Sequence, residues 1–184
     1  MIYAACGASG LGAVTASYLA APGLVGVLGG CLAILMIAIA IVDAREFIIP
    51  DVLVLAALGL GLLHAVITQA DEYPAAILSS TLRGIVIAFA FLSLRKAYLW
   101  LRRREGLGLG DVKLAAVAGV WLDWLAITIA VEIAAFTALT AIAILVMGGH
   151  RITGKTRIPF GCFFAPAIWL AWLLDYYILR TSVF

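Results

Sequence analysis

Two aspartates, Asp43 and Asp111, are the best candidates for catalytic residues in this sequence, because of their residue type and their positions. Asp43 ends one apolar run, and Asp111 follows it by 68 positions at the start of another. An ionisable residue inside or bordering a lipid bilayer is energetically costly and therefore indicates a function. Two carboxyl groups held close together cannot both ionise easily, so one of them keeps its proton. The ionised member could then activate water while the neutral member protonates or hydrogen-bonds a carbonyl group.

Two glycines, Gly108 and Gly110, precede Asp111. Glycine allows another backbone to approach closely and allows a turn to take positive φ, and both properties would suit a site that receives a peptide. A second interpretation is also open, in which Asp111 only caps a helix and Asp43 is an ordinary acid at a helix end. Spacing alone does not decide between them.

The composition of the chain predicts a membrane protein. Of its 184 residues, 66% are hydrophobic and 12% are charged, and the mean hydropathy is +1.19. Soluble domains are typically about 45–50% apolar and about 25% charged, so an ordinary soluble globule and a disordered chain are both excluded. The net charge of +2 does not indicate a nucleic-acid partner. The cysteines form no CxxC pair and the two histidines are isolated, so we expect no disulfide framework, no metal and no cofactor.

Apolar runs separated by charged, Pro or Gly breaks predict an all-α polytopic membrane protein with six to seven transmembrane helices. We divide the chain into an N-terminal helix of open role at 1–23 and a membrane domain at 24–184. If the first helix does not span, six crossings remain. The predicted helices cover about 2–21, 24–43, 52–69, 79–101, 111–122, 124–147 and 159–179.

Basic residues are concentrated at one set of helix ends, which by the positive-inside rule is the cytoplasmic set. Both aspartates fall on this side, so the prediction places them at one depth near the cytoplasm. Ten of the 12 Lys and Arg residues belong to this set: Arg45, Arg95, Lys96, Arg102, Arg103, Arg104, Lys113, Arg151, Lys155 and Arg157.

Three segments resemble those of the type IV prepilin peptidases, which are membrane aspartic proteases. Residues 43–51 resemble the D-x-R-x-x-x-I-P-D segment, and residues 108–114 resemble G-x-G-D-x-K-L, with Gly119 in its following place. Residues 158–161 resemble the I-P-F-G segment near the last helix. GxGD alone is shared with presenilin-type proteases, whereas the three segments in this order are more specific. The resemblance covers about residues 25–180.

The resemblance implies a GxGD aspartic endopeptidase that cleaves the leader peptide of a prepilin or pseudopilin in a type IV pilus or protein secretion system. It implies a multi-pass protein in contact with lipid in a bacterial inner membrane, cutting at the cytoplasmic face without a metal. Asp43 and Asp111 would be the catalytic aspartates. The residues that would bind substrate or shape loops are Gly108, Gly110, Lys113, Pro159, Phe160 and Gly161.

The sequence departs from that family in two places. It shows neither the N-terminal cytosolic insertion nor the paired CxxC motifs of the full-length bacterial enzymes, so we expect the short, peptidase-only form without N-methyltransferase activity. The Pro that usually follows I-P-F-G is Cys162 here, and we expect this to change packing rather than chemistry.

Three rival functions are open beside this one. The acidic pair could serve as a proton or cation relay in a small channel or transporter, although the I-P-F-G segment and the glycines would then be unexplained. The chain could be an assembly protein of a pilus system whose acids are degenerate. A presenilin-like signal peptide peptidase would be longer and would carry a Pro-Ala-Leu segment. The substrate and the oligomeric state cannot be read from the sequence.

Other polar and aromatic residues receive structural roles. We expect Lys113 to reach lipid headgroups, Asp51 to cap the third helix, and Glu132 to pair with Arg83. The aromatic residues of the last helix are expected to face lipid and the membrane interface: Trp169, Trp172, Tyr176 and Tyr177.

Overall fold

The computed structural model describes residues 2–103, 106–149 and 159–179, and every regular element within these ranges is helical. A short 3-10 turn at Ala70–Glu72 precedes the fourth helix, and a π-helical turn at Asp175–Leu179 follows the seventh. The all-α prediction is therefore confirmed for this part of the chain. The helices are α1 Ile2–Ala20, α2 Leu24–Glu46, α3 Asp51–Thr68, α4 Tyr73–Arg102, α5 Leu109–Trp121, α6 Trp124–Met147 and α7 Gly161–Leu174.

The predicted helices agree with the observed ones to within about three residues, apart from the end of α7, where a π-helical turn occupies Asp175–Leu179, and the start of α4. This helix begins at Tyr73 rather than at 79, because Pro74 lies in its first turn, where a missing N–H costs nothing. The N-terminal ends of α2 and α3 follow Gly23, which has a φ of 90°, and Pro50. Part of the predicted basic set and the first residue of the I-P-F-G segment lie outside the described ranges: Arg104, Arg151, Lys155, Arg157 and Ile158.

Within the described residues, four helical segments are long and apolar enough to cross a membrane: Leu24–Glu46, Asp51–Thr68, Ala70–Arg102 and Trp124–Met147. α5 has 13 residues and is about 20 Å long, which is shorter than the roughly 30 Å hydrocarbon core. Most of its residues are buried, and it packs against α3, α4 and α7. The predicted total of six to seven crossings remains a prediction.

Small residues allow the helices of the bundle to pack closely. A Cβ added to Gly119 of α5 would lie 2.6 Å from the Cα of Gly84 in α4, so the two backbones touch at this point. α6 packs on α7 through a row of small side chains at four-residue spacing. Such close backbone approach is how helices associate in lipid, because lipid tails are as apolar as the side chains and supply no hydrophobic driving force. The row consists of Ala126, Ala130, Ala134 and Ala138.

The prediction that the aromatic residues of the last helix face lipid is wrong for Trp172 and Tyr176, and Trp169 is half-buried, with its indole N–H donating to the Ser17 hydroxyl oxygen over 3.0 Å. Trp172 is 1% exposed and Tyr176 is 9% exposed. Both surround buried His64, whose Nε2 lies 3.2 Å from the Tyr176 hydroxyl oxygen, and Trp121 stacks on the same imidazole ring. A buried Trp or Tyr finds a polar partner in this way. Tyr177 is exposed, as predicted.

The predicted pair of Glu132 and Arg83 is also wrong. Arg83 donates from Nε to the carbonyl oxygen of Gly119 over 2.8 Å and forms an ion pair with Asp123, with 3.3 Å between Nη1 and Oδ1. The guanidinium therefore fastens α4 to the carboxyl end of α5. Glu132 lies exposed on α6 instead.

Candidate active site

Asp43 lies in the last turn of α2, and its side chain is buried. Its Oδ2 accepts a hydrogen bond of 2.8 Å from the backbone N–H of Cys162, and the N–H of Gly161 also donates to this carboxyl group. Both donors belong to the first turn of α7. A helix N-terminus has free N–H groups and a partial positive charge, so it is a favourable place for a carboxylate. α7 thus offsets part of the cost of burying Asp43.

Asp111 occupies the first turn of α5 and is buried as well. Its Oδ2 accepts the backbone N–H of Gly108 over 3.0 Å, which closes the chain at the start of the helix. Gly108 holds the cap position, and the Asp111 carboxyl group bonds back to its N–H from the third helical position, as in a capping box. The interpretation in which Asp111 helps to cap α5 is therefore compatible with the structure, and the buried carboxyl group leaves the catalytic interpretation open as well.

Ile49 connects the surroundings of the two aspartates. Its Cδ1 would lie 2.8 Å from a Cβ added to Gly110 of α5 and 2.8 Å from one added to Gly161 of α7. The same Cβ on Gly161 would lie 2.8 Å from Oδ2 of Asp43. The side chain of Ile49 is therefore inserted between two glycines, of which Gly110 precedes Asp111 in sequence and Gly161 lies against Asp43. The topology brings the two predicted carboxyl groups into one site.

The glycines act through close packing rather than through positive φ. Gly108 has φ −71° and ψ 155°, an extended conformation open to any residue, and Gly110 is helical. Among the described residues, the glycines with positive φ are Gly23 and Gly149. The sequence argument about a positive-φ turn before Asp111 is therefore wrong. The close approach at Gly110 is made by the side chain of Ile49, and the approach of another backbone stays a prediction.

Lys113 lies at the rim of the site and forms an ion pair with Asp51 at the start of α3. The prediction that Asp51 caps α3 is wrong, because Pro50 holds the cap position. The prediction that Lys113 reaches lipid headgroups stays a prediction. The side chains of Lys113 and Asp51 are 43% and 69% exposed, so solvent screens the pair. The pair links α5 to α3 beside the aspartates.

Pro159 and Phe160 shape the entry to α7. Phe160 caps this helix: its carbonyl oxygen accepts the N–H groups of Phe163 and Phe164, and its ring stacks on that of Phe164 at 5.5 Å. Both predicted residues are half-buried. They fix the direction in which the first N–H groups of α7 point toward Asp43.

The sequence reasoning misses two contributors, Ile49 and the backbone N–H of Cys162. Cys162 is expected to change only packing, yet it donates a hydrogen bond that a proline could not provide. The signal is available in the substitution itself, because replacing Pro by any other residue adds a donor. Among the described residues, no group of three or more His, Cys, Asp or Glu is arranged to hold a metal ion.

Comparisons with known proteins show the family of the chain. Residues 30–148 match the model of the type IV leader peptidase family, a range that contains both aspartates and ends before Pro159. The chain is 38% identical over 159 residues to a prepilin leader peptidase/N-methyltransferase of Dickeya chrysanthemi, covering 85% of this chain and 54% of that protein. A Pseudomonas aeruginosa protein of the same name is 32% identical over 151 residues, covering 79% and 49%.

Leader peptidase HopD of Escherichia coli is 32% identical over 142 residues, covering 77% of this chain and 86% of that protein. The chain spans about half the length of the Dickeya and Pseudomonas relatives and most of the length of HopD. No solved structure matches the chain significantly.

Proposed function

Because the chain belongs to the type IV leader peptidase family, we propose that it is a membrane-embedded aspartic endopeptidase that removes the leader peptide of prepilins or pseudopilins. The observation that supports the proposal is that two buried carboxyl groups, at the end of α2 and the start of α5, flank the same side chain, Ile49, which lies between Gly110 and Gly161. The names of the relatives supply the substrate class, since they are called prepilin leader peptidases.

The chemistry follows from the partners of each carboxyl group. Asp43 accepts backbone N–H groups from both Cys162 and Gly161, which suits the ionised member of the pair. Asp111 accepts one, from Gly108, and is suited to remain neutral. The Asp43 carboxylate takes a proton from water while the water oxygen attacks the scissile carbonyl carbon. Asp111 donates its proton to the carbonyl oxygen, which gives a gem-diol intermediate. As the C–N bond breaks, the leaving amine takes the proton that Asp43 had accepted from water, and a hydroxyl group of the gem-diol returns a proton to Asp111.

Apolar side chains next to the site are suited to an apolar segment of the substrate. Phe47 and Ile48 precede the inserted Ile49, and Val52 and Leu55 lie on the first turns of α3; each of these four is at least half exposed. In lipid they would pack against the membrane helix of a prepilin while its leader reaches the aspartates. Lys113, Gly108 and Pro159 would shape the rim through which the leader enters.

The distribution of charge supports a cytoplasmic position for the site, in a bacterial inner membrane crossed six to seven times. Arg45 and Lys113 flank the aspartates in sequence, and Arg95 at the same end of α4 donates to the Leu107 carbonyl oxygen over 3.0 Å, which fixes the loop before Asp111. The positive-inside rule assigns such an end to the cytoplasm. The proposal covers peptidase activity only.

The test is co-expression with candidate prepilins, with leader removal read by mass spectrometry. Asp43→Asn and Asp111→Asn should each abolish cleavage while the protein still inserts, whereas Asp71→Asn, a matched change at an exposed acid, should cleave normally. Full activity in either site variant would reject the assignment. Ion flux in liposomes that depends on Asp43, without any cleavage, would favour the channel or transporter instead.

A further inference from the structure

Glu132 is the one charged residue of α6, a helix of 24 residues that is long and apolar enough to cross a membrane. It lies eight residues after Trp124, which corresponds to about 12 Å along the axis and to the hydrocarbon region. Its side chain is exposed, and within the described ranges it forms no hydrogen bond or ion pair. A carboxyl group facing lipid at this depth is costly, so its presence points to a polar partner.

The exposed side of α6 carries a seven-residue repeat with Glu132 near its centre. α6 contacts α7 through the alanine row from Ala126 to Ala138, and the repeat lies on the opposite side of the helix. Apolar residues repeated in this way form a seam along which a second helix can pack. A single polar residue in such a seam determines the register of the two helices and the number of helices that associate. The repeat comprises Leu125, Thr128, Glu132, Ala135, Leu139, Ile142 and Val146, of which Ile142 alone is half-buried and the others are exposed.

We propose that this seam is the dimer interface of the protein, in which α6 packs against α6 of a second copy and the two Glu132 side chains meet. Copies inserted in the same orientation place Glu132 at the same depth, so a twofold axis along the membrane normal brings the two carboxyl groups together. A neutral carboxyl group has one donor and one acceptor, so two of them satisfy each other. A different partner would have to carry a polar group at a matching depth.

The neighbours of Glu132 fit this interface. Thr128 and Ala135, about one turn to either side, are small enough for two backbones to approach closely. The Thr128 hydroxyl already donates to the carbonyl oxygen of Trp124 over 3.1 Å, so it brings no unmet donor into the contact. α6 contributes neither aspartate of the proposed active site, so the dimer leaves that site open. The inference does not depend on the proposed peptidase activity.

The test counts subunits in liposomes at high dilution, by stepwise photobleaching of the full chain fused to a fluorescent protein. Wild type should bleach in two steps. Glu132→Leu should weaken dimerisation by about tenfold or more, whereas Glu132→Gln, which keeps a donor and an acceptor, should stay within a few fold. Thr140→Leu is the matched control, because it replaces an exposed polar residue of α6 away from the seam and should dimerise like wild type.

The position of the interface is tested by oxidative cross-linking in a variant whose three native cysteines are replaced by serine. Leu139→Cys should join two copies, and Phe89→Cys on the exposed face of α4 should not. Single-step bleaching of wild type, unchanged dimerisation of Glu132→Leu, or cross-linking through α4 alone would each overturn the proposal.

Discussion

Gly161→Ala should slow leader cleavage strongly, because the added methyl group has no room beside Asp43. The new Cβ would lie 2.8 Å from Oδ2 of Asp43 and 2.8 Å from Cδ1 of Ile49, whereas unstrained contacts between heavy atoms lie near about 3.5 Å. Either neighbour must therefore move by several tenths of an ångström. Overpacking of this kind costs about 1–3 kcal/mol. If that cost falls on the aligned carboxyl group, the rate falls by about tenfold to a hundredfold.

The matched control is Gly59→Ala on α3, where an added Cβ meets no atom within 4 Å. Both changes replace a helical glycine by a residue of higher helix propensity, which by itself is worth up to about 1 kcal/mol of stability. Propensity alone would therefore leave both variants fully active. Purified protein in detergent or nanodiscs, a synthetic prepilin and mass detection of the released leader give kcat for each variant.

Two outcomes would refute the reasoning. Wild-type kcat in Gly161→Ala would show that the α7 turn does not confine Asp43. An equal loss in Gly59→Ala would show that the effect comes from the helices in general. Gly110→Ala tests the other side of Ile49, since its Cβ would lie 2.8 Å from Cδ1 of that residue. A lower kcat in this variant as well would show that the position of Ile49 is the constraint.

Four further outcomes are expected. Lys113→Ala should change kcat by less than about threefold and the free energy of unfolding by at most about 1 kcal/mol, because its ion pair with Asp51 is exposed; a hundredfold loss would instead place Lys113 in the chemistry. Arg83→Ala should lower the free energy of unfolding by about 1–3 kcal/mol in thermal or denaturant unfolding, since it strips the Gly119 carbonyl and Asp123 of their partner, while kcat of the folded fraction stays unchanged. Trp172→Ala should cost about 3–5 kcal/mol by the same measurement, because the ring is buried, and Tyr177→Ala should cost less than about 0.5 kcal/mol as an exposed change; equal losses would contradict the burial pattern. Addition of a zinc chelator should leave the cleavage rate unchanged, and loss of activity that zinc restores would require a metal site.

The sequence is sufficient to predict most of the helices, because apolar run length is a local signal. The positions of the charges favour one common depth for the two aspartates but do not specify which side chains they contact. Contacts between residues that are distant in the sequence cannot be predicted in this way. Depth and cost favour Glu132 as the partner of Arg83, but depth does not specify which face of a helix a residue occupies. Arg83 reaches the carboxyl end of α5, where both a carbonyl oxygen and Asp123 are available.

The aromatic residues of α7 illustrate the same limit in a different way. Trp and Tyr are enriched at membrane interfaces, yet Trp172 and Tyr176 are buried around His64. A Cβ on Gly29 of α2 would lie 2.1 Å from the Trp172 ring, so the position of that glycine makes room for the indole. No property of α7 alone could reveal a space that belongs to another helix.

The contacts between helices explain why the site lies where it does. α3, α4 and α5 pack mainly against one another, while α2 and α7 form a second group with α1 and α6. Asp111 belongs to the first group and Asp43 to the second, and Ile49 lies in the turn that links them, between Gly110 and Gly161. Sites between packed units are where proteins most often bind ligands. A peptide that enters this junction would meet one carboxyl group from each side, so the spacing of the pair depends on how the two groups are held together.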